Sequence, residues 1–140
     1  MQDILGFKDE FRWLSNFTEC KVEFDGDIYS SVEHAYQAAK TFDLAKRKLI
    51  RESTAGKAKQ IGKTIELVPD WEQIKLEVMR DLLMQKFSQE PFRSQLIATG
   101  DCFIEETNWW GDVFWGVCCG KGLNHLGRMI MDIRADLQSM

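Results

Sequence analysis

Ser31-Val32-Glu33-His34-Ala35-Tyr36-Gln37-Ala38-Ala39-Lys40 reads as a helix. Ala35, Ala38 and Ala39 are strong helix formers, and Ser31 stands where an N-cap hydroxyl would accept from a first-turn amide. Glu33, Gln37 and Lys40 recur at helical spacing and stack along a single stripe. Such a stripe has two readings. It is either a solvated Glu-to-Lys ladder on the surface, or an acid and an amine held side by side for chemistry.

The second informative segment lies near the other end: Thr107-Asn108-Trp109-Trp110-Gly111-Asp112-Val113-Phe114-Trp115-Gly116, followed by Gly120-Lys121-Gly122-Leu123-Asn124-His125-Leu126-Gly127. Three of the five tryptophans fall within seven residues, beside Asn, Asp and glycines that let backbone approach a ligand closely. An aromatic plug for the core and a pocket with stacking walls both fit this composition.

Around these segments the pattern is mixed. Cys20-Lys21-Val22-Glu23-Phe24, Asp25-Gly26 and Asp27-Ile28-Tyr29 read as a β-hairpin closed by a two-residue turn. Helices are predicted over residues 43–52 and over 54–61, the latter closed by Gly62, and over 70–87, where Asp70 and Gln73 match a capping box. Ile74, Val78, Leu82 and Leu83 form the apolar stripe of that third helix, with Met79 and Met84 as packing. Pro91 opens a short helix that stops at Gly100, and residues 102–107 read as a strand. Asn124 is placed to cap a last helix bearing Leu126, Ile130, Ile133 and Leu137. The expected fold is α+β, one mostly helical domain over residues 1–140 with a small β-sheet.

Composition narrows the function classes. The 140 residues are 44% hydrophobic with only two prolines, which excludes disorder, and no apolar run is long enough to span a bilayer. The first residues carry no basic segment followed by an apolar stretch, so a cytoplasmic protein is expected. Four cysteines and two histidines offer no C-x-x-C pair and no zinc set, and there is no acidic cluster for magnesium. No metal and no cofactor are therefore expected, and activity should survive exhaustive EDTA treatment; loss that returns on adding metal would refute this. Cys118 and Cys119 are adjacent, and reduced thiols are the expected state, with a vicinal disulfide as the rare alternative.

The net charge of −4 hides an asymmetry. Between Lys40 and Lys63 stand eight basic residues against two acids, leaving ten basic and twenty acidic residues elsewhere. An acidic chain is no general nucleic-acid coat, but a local basic rim suits a phosphorylated or diphosphate substrate. A charged, solvated helix pair is the competing reading.

The chain resembles the NADAR family, with its YbiA-like N-glycosidase members. The resemblance rests on Leu14-Ser15-Asn16-Phe17, the whole 31–40 motif, Asp70-Trp71, Lys75, Val78-Met79, Lys86-Phe87, Thr99-Gly100, Phe114-Trp115-Gly116 and Gly120-Lys121-Gly122-Leu123-Asn124-His125-Leu126-Gly127, in the family's order and approximate spacing. Here Val117-Cys118-Cys119 makes a shorter link between the last two motifs than many members have. The resemblance implies a YbiA-like fold and hydrolysis of an N-glycosidic bond. It implies two substrate types: phosphorylated ribosylamino intermediates of riboflavin synthesis, or ADP-ribose on a nucleobase, including one within nucleic acid.

N-glycosidic cleavage passes through an oxocarbenium-like sugar, so a carboxylate near the anomeric carbon is needed. Glu33 is the candidate. The resemblance adds a second route through Lys40, in which a neutral amine attacks the anomeric carbon, opens the ribose and forms a Schiff base. A neighbouring carboxylate by itself raises a lysine pKa, so desolvation must outweigh the pairing or Glu33 must act as base during the step. Asn16, Phe17, Asp112, Gly116, Lys121 and Asn124 are candidates for contacts to sugar, phosphate or base edges, and Trp71 and Trp115 for stacking. Two other classes remain open: a module that binds ADP-ribose or a related nucleotide without cleaving it, and a protein-interaction domain using the Trp-rich loop.

Overall fold

The computed structural model describes residues 2–140. In chain order the elements are β1 (Ile4–Leu5), a 3-10 helix (Asp9–Leu14), β2 (Val22–Phe24), β3 (Asp27–Tyr29), α1 (Val32–Ala38), α2 (Leu44–Arg51), α3 (Ala55–Gly62), α4 (Trp71–Phe87), α5 (Phe92–Ala98), β4 (Ile104–Glu105), β5 (Thr107–Asn108), β6 (Val117–Cys118) and α6 (His125–Gln138). The chain is α+β and mostly helical. Its contacts group into two compact units, Asn16–Lys86 and the remainder.

In the Asn16–Lys86 unit, β2 and β3 pair antiparallel with Val22 opposite Tyr29 and Phe24 opposite Asp27. Asp25 (φ 50°) and Gly26 (φ 85°) both take the left-handed conformation, as a two-residue hairpin turn matching the strand twist requires. Three helix starts are set by local chemistry. Ser31 Oγ accepts from His34 N, Asp43 from Ala45 N and Lys46 N, and Thr54 from Lys57 N. Helix α1 is packed by α2, α3 and the hairpin, and every one of its residues is buried. The solvated-ladder reading of its polar stripe is thereby excluded.

Burial of α1 dictates how its neighbours are used. His34 is held at both ring nitrogens: Nε2 donates to the Ser53 carbonyl (2.7 Å) and Nδ1 shares a hydrogen bond with the Ser31 hydroxyl (2.6 Å). Arg47, 6% exposed, donates to the Ala38 and Thr41 carbonyls and pairs with Asp25 at 2.8 Å. Arg51 pairs with Asp27 at 3.2 Å. Two of the eight basic residues counted toward a substrate rim therefore tie α2 to the hairpin. Gly62 is the last residue of α3, and a Cβ there would fall 1.7 Å from Gln37 Oε1, so the position is glycine for space.

In the other unit, β1 and β4 pair parallel, as do β5 and β6. The strand expected over residues 102–107 breaks at Glu106, whose amide leaves the ladder to donate to Asn124 Oδ1 (3.0 Å). Its two halves then pair with different partners. Helix α6 packs on β4 and α5 through Leu126, Ile130, Ile133 and Leu137, all buried as the helical spacing predicts. Asn124 stands at the N-cap of α6, but its side chain makes no cap. Among the described residues no helix is long and apolar enough to cross a membrane.

Candidate functional site

Glu33 is the second residue of α1 and is 7% exposed. Gln37, one turn on, donates from Nε2 to Glu33 Oε2 at 2.6 Å. Burial holds the Glu33 carboxyl above the ordinary carboxylate range; the Gln37 hydrogen bond and the charges of Lys59, Lys40 and His34 pull it down by less. The backbone is anchored as well, Glu33 N donating to the Asn16 carbonyl at 3.0 Å.

Lys40 lies just beyond α1. Ala39 is the C-cap, Lys40 N donates to the Gln37 carbonyl (3.2 Å), and the Lys40 carbonyl accepts from Val68 N (2.8 Å). Its ammonium sits 5.4 Å from the centroid of the Tyr36 ring, and Tyr36 packs on the buried Trp71 ring at 5.2 Å. Desolvation lowers the Lys40 pKa, Glu33 opposes it, and the charges of Lys75, Lys59 and Lys63 lower it further. Desolvation outweighs the opposing pull of Glu33. Lys59 and Lys63, like Lys40 itself, belong to the basic stretch between residues 40 and 63. Tyr36 is the residue that sequence reasoning missed, although its spacing of four from Lys40 was the signal.

Asn16 and Phe17 belong to the same unit. Asn16 Nδ2 approaches Met79 Sδ at 3.6 Å, while Asn16 Oδ1, like Gln37 Oε1, is a buried acceptor without a hydrogen-bond partner. Phe17 is 40% exposed, with the Lys59 ammonium 5.9 Å from its ring centroid.

The geometry predicts the effect of Gly62→Ala. The new methyl must displace the buried Gln37 side chain and break its bond to Glu33. We expect a loss of about 1–3 kcal/mol in urea unfolding, typical of overpacking. Removing a hydrogen bond that lowers the Glu33 pKa should also move the carboxyl titration to higher pH, read by NMR. Unchanged titration would show that Gln37 does not tune Glu33.

The remaining candidates lie in the other unit, on the loop that joins β5 to α6. Asn108 organises it: Nδ2 donates to Glu106 Oε2 (2.9 Å) and to the Asp112 carbonyl (2.9 Å), and Oδ1 accepts from Asp112 N (3.1 Å). Asp112 Oδ1 in turn accepts from Phe114 N (3.2 Å) and Trp115 N (2.9 Å), setting the direction in which the chain presents Trp115. Trp115 is half-buried and stands edge-on to Phe114 at 4.9 Å, with His125 at 6.4 Å. A Cβ on Gly116 would meet Glu106 Oε2 at 1.8 Å and the Glu106 carbonyl at 2.1 Å, so the buried Glu106 carboxyl and this glycine are fitted to each other. Trp109 and Trp110 are exposed rather than plugging a core. Asn124, 4% exposed with φ 53°, uses both ends of its amide on backbone, accepting from Glu106 N and donating to the Ile104 carbonyl at 3.0 Å. Lys121 is exposed at the end of a tight turn. Among the described residues no group of three or more His, Cys, Asp or Glu side chains could hold a metal ion.

A solved structure shares this architecture, and several curated proteins are similar in sequence. The solution structure of Escherichia coli YbiA superposes with a TM-score of 0.85 at 32% identity, covering 99% of this chain and 88% of that one. The E. coli protein, an N-glycosidase by name, is 35% identical over 98% of this chain and 91% of its own length. An N-glycosidase of Nostoc punctiforme is 34% identical over 91% of this chain and 86% of its own. A riboflavin biosynthesis protein of Vibrio vulnificus is 37% identical over 90% of this chain, which spans only 35% of that longer protein. The model of the NADAR domain matches residues 6–138, and the chain belongs to the NADAR family.

Proposed function

We propose that this protein is a hydrolase that cleaves the N-glycosidic bond of a phosphorylated ribosyl or ADP-ribosyl substrate. The observation that carries the reading is the pairing of Glu33 and Lys40. A buried carboxyl is pushed up and a half-buried amine is pushed down, each feeling the other's charge, so burial shifts the two groups toward one another, as at sites of acid–base chemistry. The names of the E. coli and Nostoc relatives support the same reaction class.

In this mechanism neutral Lys40 Nζ attacks the anomeric carbon, the ribose ring opens, and a Schiff base forms as the base departs. Glu33 takes the proton from the attacking amine and returns one during departure. The lysines around Lys40 suit the substrate phosphate, and Asn16 Oδ1 and Gln37 Oε1 suit sugar hydroxyl donors. Water releases the sugar from Lys40.

Incubation with ADP-ribosylated guanosine and, separately, with a ribosylamino pyrimidine phosphate tests this directly. Release of free base from one of them is the expected result and identifies the substrate. Release from neither would overturn the assignment. Trp115 is tested by itself as a stacking residue. Trp115→Ala should weaken substrate binding by about 1–3 kcal/mol, the usual worth of one base–aromatic stack. Calorimetric titration measures it, with circular dichroism to establish that the variant is folded. Parental affinity in a folded variant would remove Trp115 from the site.

A further inference from the structure

Cys118 and Cys119 occupy an unusual turn. Cys118 N donates to the Lys121 carbonyl at 2.8 Å and Lys121 N donates back to the Cys118 carbonyl at 3.1 Å, closing a two-residue reversal over Cys119 and Gly120. The two residues at its tip have φ of 53° and 78°, the mirror-image conformation in which Gly, Asn and Asp predominate. A cysteine at the first of these positions is at odds with backbone preference, because its Cβ crowds the following carbonyl. What that placement achieves is proximity of sulfur to sulfur. The Cys118 thiol donates to Cys119 Sγ at 3.8 Å, with Cys119 exposed and Cys118 half-buried. The other two cysteines, Cys20 and Cys102, are isolated in sequence from each other and from this pair.

We propose that Cys118 and Cys119 form a redox modification site that reacts with small-molecule disulfides to give a reversible vicinal disulfide. The exposed Cys119 thiolate attacks one sulfur of a disulfide RS–SR, forming Cys119–S–S–R and expelling one RS⁻. The Cys118 thiolate then attacks the Cys119 sulfur, forming the Cys118–Cys119 bond and expelling the second RS⁻. The two protons lost by the cysteine thiols are taken up by the two expelled thiolates, so the protein is oxidised by two electrons and the small disulfide is reduced by two.

The geometry also specifies the consequence. Adjacent Cα atoms across a trans peptide are about 3.8 Å apart, below the roughly 4.4–6.8 Å that an unstrained disulfide spans. Ring closure therefore strains the Cys118–Cys119 peptide, makes the bond easy to reduce, and draws Cys118 out of its turn. The two hydrogen bonds with Lys121 are the first to go. The segment that follows carries the contact of Asn124 N with the Gly116 carbonyl (3.3 Å), so oxidation acts on the loop that holds Trp115 and Gly116. The chemistry of the pair stands apart from the glycosidase assignment and is tested without substrate.

The experiment treats the full chain, with Cys20→Ser and Cys102→Ser introduced to silence the other thiols, with excess oxidised glutathione. Intact mass and peptide mapping follow the product. The expected product has lost two hydrogens, retains no glutathione, and holds its linkage in the 118–119 peptide; dithiothreitol restores the starting mass. Adding Cys118→Ser should convert the product into a stable mixed disulfide on Cys119. Amide hydrogen exchange of Cys118 and Lys121 should be faster in the oxidised protein than in the reduced one. A parental pair that keeps glutathione, or that does not react, would overturn the proposal. Unchanged protection of the two amides after oxidation would overturn the opening of the turn.

Discussion

Lys40→Arg is expected to abolish turnover and borohydride trapping together. If the amine of Lys40 forms a Schiff base with the opened sugar, borohydride added during turnover reduces it and leaves a sugar adduct on that residue, visible by mass spectrometry of the proteolysed protein. Arginine keeps the positive charge and can still contact phosphate, but its guanidinium is almost never deprotonated and so supplies no nucleophile. The environment makes the test a sharp one. Burial and three neighbouring lysines lower the Lys40 pKa against the opposing pull of Glu33, so the parent has access to the neutral amine that arginine lacks. A variant that remains active, with no adduct on Lys40 in the parent, would eliminate the covalent route and leave Glu33 activating water.

Glu33→Gln is expected to reduce turnover by roughly a hundred- to ten-thousand-fold, the usual worth of a general acid or base. The same change should stabilise the protein at neutral pH. Burial raises the Glu33 pKa in the folded state above its unfolded value. Below the unfolded value both states carry the proton and nothing is lost. As the pH rises from there through the folded value, the unfolded chain gives up its proton first, and stability falls. Glutamine has no proton to lose, so urea midpoints of parent and variant should converge in acid and separate toward neutrality, with the variant higher. Lost activity with gained stability marks a carboxyl kept for function rather than for folding. Turnover within a few fold of the parent would remove Glu33 from the chemistry.

Local chemistry made much of this chain legible. The Asp25-Gly26 turn, the cap at Ser31, the helix starts near residues 43 and 54, and the apolar stripe of α6 each depend on residues within a few positions of one another, and each is where the sequence places it. The candidate residues on α1 were legible for the same reason, since helical spacing alone aligns Glu33 with Gln37. Interactions between distant segments were not. Gly62 reads as a helix stop because glycine often ends helices, yet it is the absence of a side chain beside Gln37, a residue 25 positions away in sequence, that its place requires. Asn124 reads as a cap, and its amide instead satisfies backbone groups of Ile104 and Glu106.

What the sequence by itself determined was the hairpin, the order of the six α-helices, the two groups of candidate residues and the family. Whether the stripe of α1 faced water or protein was a matter for the tertiary structure, because helical periodicity places side chains on a common face without saying what covers it. Packing by α2, α3 and the hairpin covers it here. That burial moves the Glu33 and Lys40 protons in opposite directions, and desolvation is a property of surroundings assembled from many segments, written in no single stretch of chain.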